Sequence, residues 1–251
     1  MNNKNNEILF IGATHGHEPI GVNVLKRLER IRSGFDWIIG SPRALEAGTR
    51  EFEGDLNRSA PGDPTSANYA SRRAAEIIEL SKKYRFTIDL HGSIKPVGVI
   101  IIITDPKVEN LKLATLFGIS RIVIWPAFSQ EIQGPMSEFF SCGFSLESGP
   151  KELPKIEAML ENILIDFLDN YRQRENRDWK SELEKREIYQ VYDSIKQDPG
   201  AALYEFTEAT INNETFYPLL VGSYIKDKGI YCYKMKRVDA ESLLQHTRSF
   251  S

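Results

Sequence analysis

Ile8-Leu9-Phe10-Ile11-Gly12, running on through Ala13-Thr14-His15-Gly16-His17-Glu18 to Pro19, is the stretch on which the fold turns. Four apolar residues in a row that stop at a glycine read as a strand buried on both faces, because a half-buried strand alternates. Pro19 suits the first turn of a helix, where its missing N–H would have no partner anyway. Ile20, Val24, Leu25, Leu28 and Ile31 then recur at helical spacing. Working outward, Asp36-Trp37-Ile38-Ile39-Gly40, Phe86-Thr87-Ile88-Asp89-Leu90, Val97 to Thr104, Arg121 to Trp125 and Phe144 to Glu147 read as further strands. Helical patterns fall at 66–83, 105–117 and 153–172, the last with Ile156, Leu160, Ile163, Leu164 and Phe167 on one face. Strands alternating with helices predict an α/β domain with a mixed, largely parallel sheet flanked by helices. Residues 41–65, rich in Gly, Pro, Asp and Arg, read as one long loop, and long loops in compact domains are often functional.

The pattern changes after this. Residues 174–186 are dense in charge and read as an exposed linker or a helix extension. From Ile188 short strands follow, at Tyr189 to Tyr192, Phe216 to Val221 and Gly229 to Met235. The expected organisation is a catalytic α/β domain over 1–173, the charged stretch over 174–186, and a small β-rich C-terminal domain over 187–251.

The 251 residues carry a net charge of −3, with 41% hydrophobic and 27% charged residues, an ordinary soluble composition. There is no basic stripe for nucleic acid, no phosphate-binding Gly-Lys-Ser/Thr and no Gly-x-Gly-x-x-Gly. The longest apolar run, Val97 to Ile103, is too short to span a bilayer. The polar start, Met1 to Glu7, lacks the apolar core of a signal peptide. Two distant cysteines, Cys142 and Cys232, read as free thiols in a reducing compartment. The expectation is a cytoplasmic protein with a small-molecule substrate, without nucleic-acid or membrane partners, and compatible with a homo-oligomer.

Of four histidines, His15, His17 and His91 fall in two loops that each follow a predicted buried strand. Ligands of open α/β sheets bind at such strand ends. A catalytic zinc takes three protein ligands of imidazole, thiolate or carboxylate type and leaves a fourth position open. His15 and Glu18 stand three residues apart near a helix start, which puts them on one side of a turn. With His91 from the neighbouring strand they form the expected metal set. His17 projects elsewhere on that turn, as a pocket or supporting residue. Asp89 shares a strand face with His91 and could orient it.

Taken with Asp55-Leu56-Asn57-Arg58 and Glu147-Ser148-Gly149-Pro150, these motifs resemble the aspartoacylase/succinylglutamate desuccinylase family, within the wider zinc carboxypeptidase-like group. The resemblance covers residues 8 to 150 by motif and the rest by layout. It implies one Zn2+ per chain on His15, Glu18 and His91, with Glu147 as general base. It implies Asn57 and Arg58 as the grip on a substrate carboxylate, for which a guanidinium fork suits and lysine does not. Arg50 corresponds to an arginine that stabilises the tetrahedral oxyanion. Tyr224 resembles a tyrosine that reaches the pocket from the C-terminal segment; core or surface tyrosine is the alternative. Phe139, Phe140 and Phe144 are candidates for an apolar acyl wall or for the core.

Two positions depart from the family pattern: His17 stands where asparagine is usual, and Ser137 where aspartoacylases carry a further arginine. The second departure points away from N-acetylaspartate. The implied function is a zinc amidohydrolase that releases a carboxylate and a free amino acid from an N-acyl amino acid. A carboxypeptidase-like peptide hydrolase and a non-catalytic carboxylate-binding protein are the alternatives.

Overall fold

A computed structural model describes residues 6–126, 134–225 and 229–247. Elements appear in the order β1 (Ile8–Gly12), α1 (Ile20–Leu28), β2 (Phe35–Ile39), α2 (Pro42–Ala47), α3 (Tyr69–Ser81), β3 (Phe86–Gly92), β4 (Gly98–Ile103), α4 (Val108–Thr115) and β5 (Arg121–Ile124). They continue with β6 (Gly143–Gly149), α5 (Pro154–Arg174), α6 (Trp179–Glu184), β7 (Glu187–Ile195), β8 (Ala209–Ile211), β9 (Glu214–Leu219), β10 (Cys232–Val238) and α7 (Ala240–Thr247). Among the described residues ten strands form one sheet, ordered β2-β1-β3-β6-β4-β5-β7-β10-β9-β8.

Strands β2, β1, β3 and β6 run parallel, as do β4, β5 and β7, but β4 runs antiparallel to β6. The sheet is therefore mixed at its centre. The composition change near residue 187 does not interrupt it: β7 pairs in parallel with β5, and β10, β9 and β8 continue as an antiparallel extension.

The central strands are apolar on both faces because both are covered. One face carries α1, α4, α5, α6 and α7 over a core that includes Phe10, Phe117, Phe144 and Phe167. Phe117 and Phe167 stack with their centroids 3.9 Å apart. The other face is covered in two patches. Leu9, Ile11, Ile77, Met136 and Phe140 pack beneath α3, and Ile100, Ile102, Val123, Leu219, Tyr233 and Met235 pack beneath the C-terminal segment.

Two expectations change. The stretch 41–65 is not one loop: α2 and a 3-10 turn at Leu56–Arg58 lie within it. Six residues are too few to show a helical period, and α2 is held by packing, with Ala44 fully buried. The charged stretch 174–186, read as an exposed linker or a helix extension, is mostly exposed and holds a separate helix. After α5 ends at Arg174, Asp178 caps α6 by accepting from the Lys180 N–H, and Leu183 is buried in the helix-side core. No helix among the described residues is long and apolar enough to cross a membrane.

Candidate active site

The β1 end positions the first two candidate ligands. Beyond Gly12 the parallel pairing to β2 persists, with Gly40 N–H donating to the Gly12 carbonyl and Ser41 N–H to that of Ala13. Ala13 then takes a left-handed conformation, φ 55°, and reverses the chain. Non-glycine residues held there are strained and cluster at functional sites. Gly16, between the two histidines, lies against α2. A Cβ on it would stand 2.1 Å from the Ala44 carbonyl oxygen, so only glycine allows that approach. Thr14 donates to Asp89 Oδ1 at 2.7 Å and ties the turn to β3.

The register of β3 and β6 places the rest. His91 is paired with Glu147, and Asp89 with Ser145, so the four residues share one sheet face. His15, Glu18 and His91 are each buried to 5% exposure or less. Their candidate ligand atoms all lie within 4.8 Å of one another. His15 Nδ1 is 2.9 Å from Glu18 Oε1, and His91 Nδ1 is 3.1 Å from Glu18 Oε2. The two Nε2 atoms face away, each to a further carboxylate: His15 to Asp55 Oδ1 at 3.2 Å and His91 to Asp89 Oδ2 at 2.9 Å. Gly92 N–H donates to Glu18 Oε2 at 3.0 Å. Both imidazoles thus turn the same nitrogen toward one point and are oriented from behind by carboxylates, the usual surroundings of metal-bound histidine.

Charges in the cluster stabilise one another. Burial alone would lower the imidazole pKa of His15 and His91; Glu18 and Asp55 at the first, and Asp89 and Glu18 at the second, outweigh it and raise both. Burial would raise the Glu18 carboxyl, but the two imidazoles hold it well below the carboxylate range. Glu147 goes the other way. Burial, and then the neighbouring Glu18 charge, push its carboxyl up to about 7.

These groups open into a cavity of about 270 Å3. His17, Arg50, Asn57, Arg58, Glu147 and Tyr224 all line it with His15, Glu18 and His91, so the expected ligands, base and substrate-binding residues face one cavity. Arg50 donates to Asp55 Oδ2 at 3.2 Å and stands 4.0 Å from Glu18 Oε1. Asn57 accepts the Met136 N–H on its Oδ1, which leaves its Nδ2 hydrogens as the group it can offer a ligand. Arg58 has two buried guanidinium N–H groups, Nε and Nη1, with no partner among the described residues. Tyr224, in an isolated bridge to Ile230, has its phenol pKa raised by burial and then by Glu147.

The aromatic triplet beside Glu147 is not a cavity wall. Phe140 and Phe144 are core residues, packed in the clusters on opposite faces of the sheet, and Phe139 is exposed. Sequence reasoning missed the wall that is there: Ile102, Thr104, Trp125 and Tyr233. It also missed Asp55 as the partner of His15, although Asp55 opens the Asp-Leu-Asn-Arg motif. Lys151, whose Nζ donates to the His17 carbonyl at 2.7 Å, was not anticipated either.

Comparison with known proteins bears on the whole chain. Residues 4–163 match the succinylglutamate desuccinylase/aspartoacylase catalytic domain. A probable aspartoacylase of Trichodesmium erythraeum is 27% identical over 196 residues, covering 68% of this chain and 67% of that protein. An N-acyl-aromatic-L-amino acid amidohydrolase (carboxylate-forming) of Xenopus laevis is 26% identical, covering 87% and 81%. Murine aminoacylase 3 superposes with a TM-score of 0.74 at 18% identity, over 95% of this chain and 97% of that one. A succinylglutamate desuccinylase from Chromobacterium violaceum gives 0.69 at 18% identity, over 94% and 87%. These two structures establish the shared fold; the domain match establishes that the chain belongs to the succinylglutamate desuccinylase/aspartoacylase family.

Proposed function

We propose that this protein is a zinc-dependent deacylase that cleaves the amide bond of an N-acyl amino acid, giving a carboxylate and a free amino acid. The observation that carries this reading is the pair of imidazole Nδ1 atoms turned on one buried carboxylate, with each Nε2 tied to a further carboxylate. Two nitrogens and a carboxylate oxygen suit zinc, whereas calcium and magnesium take oxygen donors. His15, Glu18 and His91 would hold the ion. When bound there, zinc supplies Lewis acidity toward a carbonyl and brings the pKa of a bound water near neutrality.

The chain's own residues perform the remaining tasks. The unpartnered N–H groups of Arg58 and the Nδ2 of Asn57 bind the α-carboxylate of the substrate and fix its amide over Glu147. Arg50, already close to Glu18, donates to the carbonyl oxygen as it gains charge, where a preorganised donor is worth most. Glu147 accepts a proton from the attacking water on its carboxylate and delivers it to the leaving nitrogen as the C–N bond breaks. A carboxyl near 7 is well placed for both transfers. Tyr224 closes the cavity beside Glu147 and adds a hydroxyl toward the reacting amide.

Glu147→Gln tests the reading. Metal content by elemental analysis stays at about one ion per chain, while turnover of N-acyl amino acids falls by about 10²–10⁴, the usual contribution of a general base. Wild-type turnover in that variant would remove Glu147 from the mechanism. A metal-loaded wild type that hydrolyses no N-acyl amino acid would sink the deacylase reading, and release of amino acid from short peptides would replace it with a peptidase.

A further inference from the structure

We infer that Lys151 is a positioning residue of the candidate metal centre: its ammonium grips the backbone between His15 and Glu18, and its stem packs against the strand end that carries His91. The inference rests on the metal set of the deacylase reading above and does not depend on which substrate that reading serves.

The chain brings Lys151 to the site from the strand of the candidate base. Lys151 stands four residues past Glu147, in the turn between β6 and α5. Backbone bonds fix it there. Ser93 N–H donates to the Ser148 carbonyl at 2.8 Å, and Lys151 N–H donates to the Ser93 carbonyl at 2.7 Å. These bonds seat Lys151 beside Gly92 and Ser93, the two residues that follow His91. Its stem then lies on Gly92. A Cβ on Gly92 would stand 3.1 Å from both Cβ and Cδ of Lys151, closer than side chains ordinarily pack. The bare backbone of Gly92 is what lets the stem pass.

The ammonium ends on the turn that carries the other two ligands. Lys151 Nζ donates to the His17 carbonyl at 2.7 Å, a charge-assisted bond. That carbonyl and the Glu18 N–H belong to one peptide unit, and the Glu18 N–H donates to the His15 carbonyl at 3.1 Å. A peptide unit is rigid, so the plane from which Glu18 extends is held at both ends. The Glu18 carboxylate in turn faces both imidazoles, and its Oε2 accepts the N–H of Gly92, the residue under the Lys151 stem. One side chain therefore spans the two segments that supply the three ligands, and it enters from the segment that supplies Glu147.

Charge by itself gives Lys151 the opposite effect. Lys151 lines the cavity that the ligands face. A fixed cation there repels a bound Zn2+, so on charge alone its removal would tighten zinc binding. Loss of a group that orients a metal ligand weakens binding instead. The sign of the change separates the two roles.

The test measures zinc affinity by competition with a chromophoric chelator, and melting temperature with and without zinc, for the wild type, Lys151→Met and Lys151→Arg. Methionine keeps an unbranched stem over Gly92 and removes both donor and charge; arginine keeps a cationic donor. Lys151→Met is expected to weaken zinc binding by about tenfold to a hundredfold. Its melting temperature then rises less on addition of zinc than that of the wild type. Lys151→Arg is expected to restore most of the affinity. Unchanged or tighter zinc binding in Lys151→Met would overturn the inference. So would an equal loss in both variants, which would trace the effect to the stem, or a fall in melting temperature that is the same with and without zinc. Wild-type protein that binds zinc, with this response in the variants but no hydrolysis of any N-acyl amino acid, would keep the positioning role and discard the deacylase. Wild-type protein that binds no zinc would remove both.

Discussion

At one end of the cavity, His15, Glu18, His91, Asp55 and Asp89 form a closed set of charges in which each imidazole nitrogen faces a carboxylate. At the other, Ile102, Thr104, Trp125 and Tyr233 form a wall in which the Thr104 hydroxyl has no partner among the described residues. The first end comes from the turn after β1, the last residues of β3 and the start of the 3-10 turn at Leu56–Arg58, the second from residues on or just beyond β4, β5 and β10. The charged end is over-determined: Gly92 N–H holds Glu18, Asp55 holds His15, Asp89 holds His91, and Thr14 holds Asp89. At the other end the side chains of Ile102, Trp125 and Tyr233 are held by packing. In the proposed reading, the reaction chemistry sits at the charged end, where paired groups fix the geometry.

The largest expected break in this contrast is His91→Ala. It removes one ligand and leaves the Glu18 carboxylate with a single imidazole, so bound metal falls from about one ion per chain to near none. Turnover on every substrate falls by about 10³ or more. Elemental analysis beside activity on two unlike substrates checks this; a loss confined to one substrate would place His91 with specificity instead.

A smaller effect is expected between the two ends, at Arg58→Lys. A lysine cannot present two N–H groups in the fork geometry, so kcat/KM falls about tenfold to a hundredfold, chiefly through KM, with metal content unchanged. A loss wholly in kcat would instead put Arg58 at the reacting carbonyl.

The smallest effect is one of pH. Glu147 must be ionised to accept a proton, and burial and the Glu18 charge push its carboxyl up to about 7 against His91, His15 and Arg50. A bound cation favours the ionised form and lowers that value. Hence kcat/KM falls about tenfold per unit as pH drops below a midpoint on the acid side of 7. In Trp125→Phe that midpoint stays in place, because the ring carries no charge. A midpoint that moved in this variant would show the two ends to be electrostatically joined.

How far each end was legible follows from how it is built. The candidate metal ligands could be read because His15 and Glu18 follow an apolar run that stops at Gly12 and His91 ends another apolar run, both local signals. Glu147 needed the family pattern, since one glutamate at a strand end has no local mark. For Tyr224 the sequence leaves pocket, core and surface open, and the structure puts it on the cavity lining. Helix α2 was taken for loop because its stability comes from Ala44 packing under Gly16 rather than from its own six residues. The three phenylalanines near Glu147 were misleading candidates because sequence proximity does not say which face of the sheet a residue meets.

The sequence by itself determined the α/β alternation and singled out His15, Glu18 and His91 as candidate metal ligands, and the family motifs singled out Asn57, Arg58 and Glu147. The alternation and the His15–Glu18 pair depend on spacing within a few residues. The tertiary structure alone decided that β4 runs antiparallel between β6 and β5, which turns Ile102 and Thr104 toward the cavity and brings Trp125 and Tyr233 to its far end. The reason is physical. A strand buried on both faces is apolar throughout, and that pattern specifies neither its direction nor its neighbours.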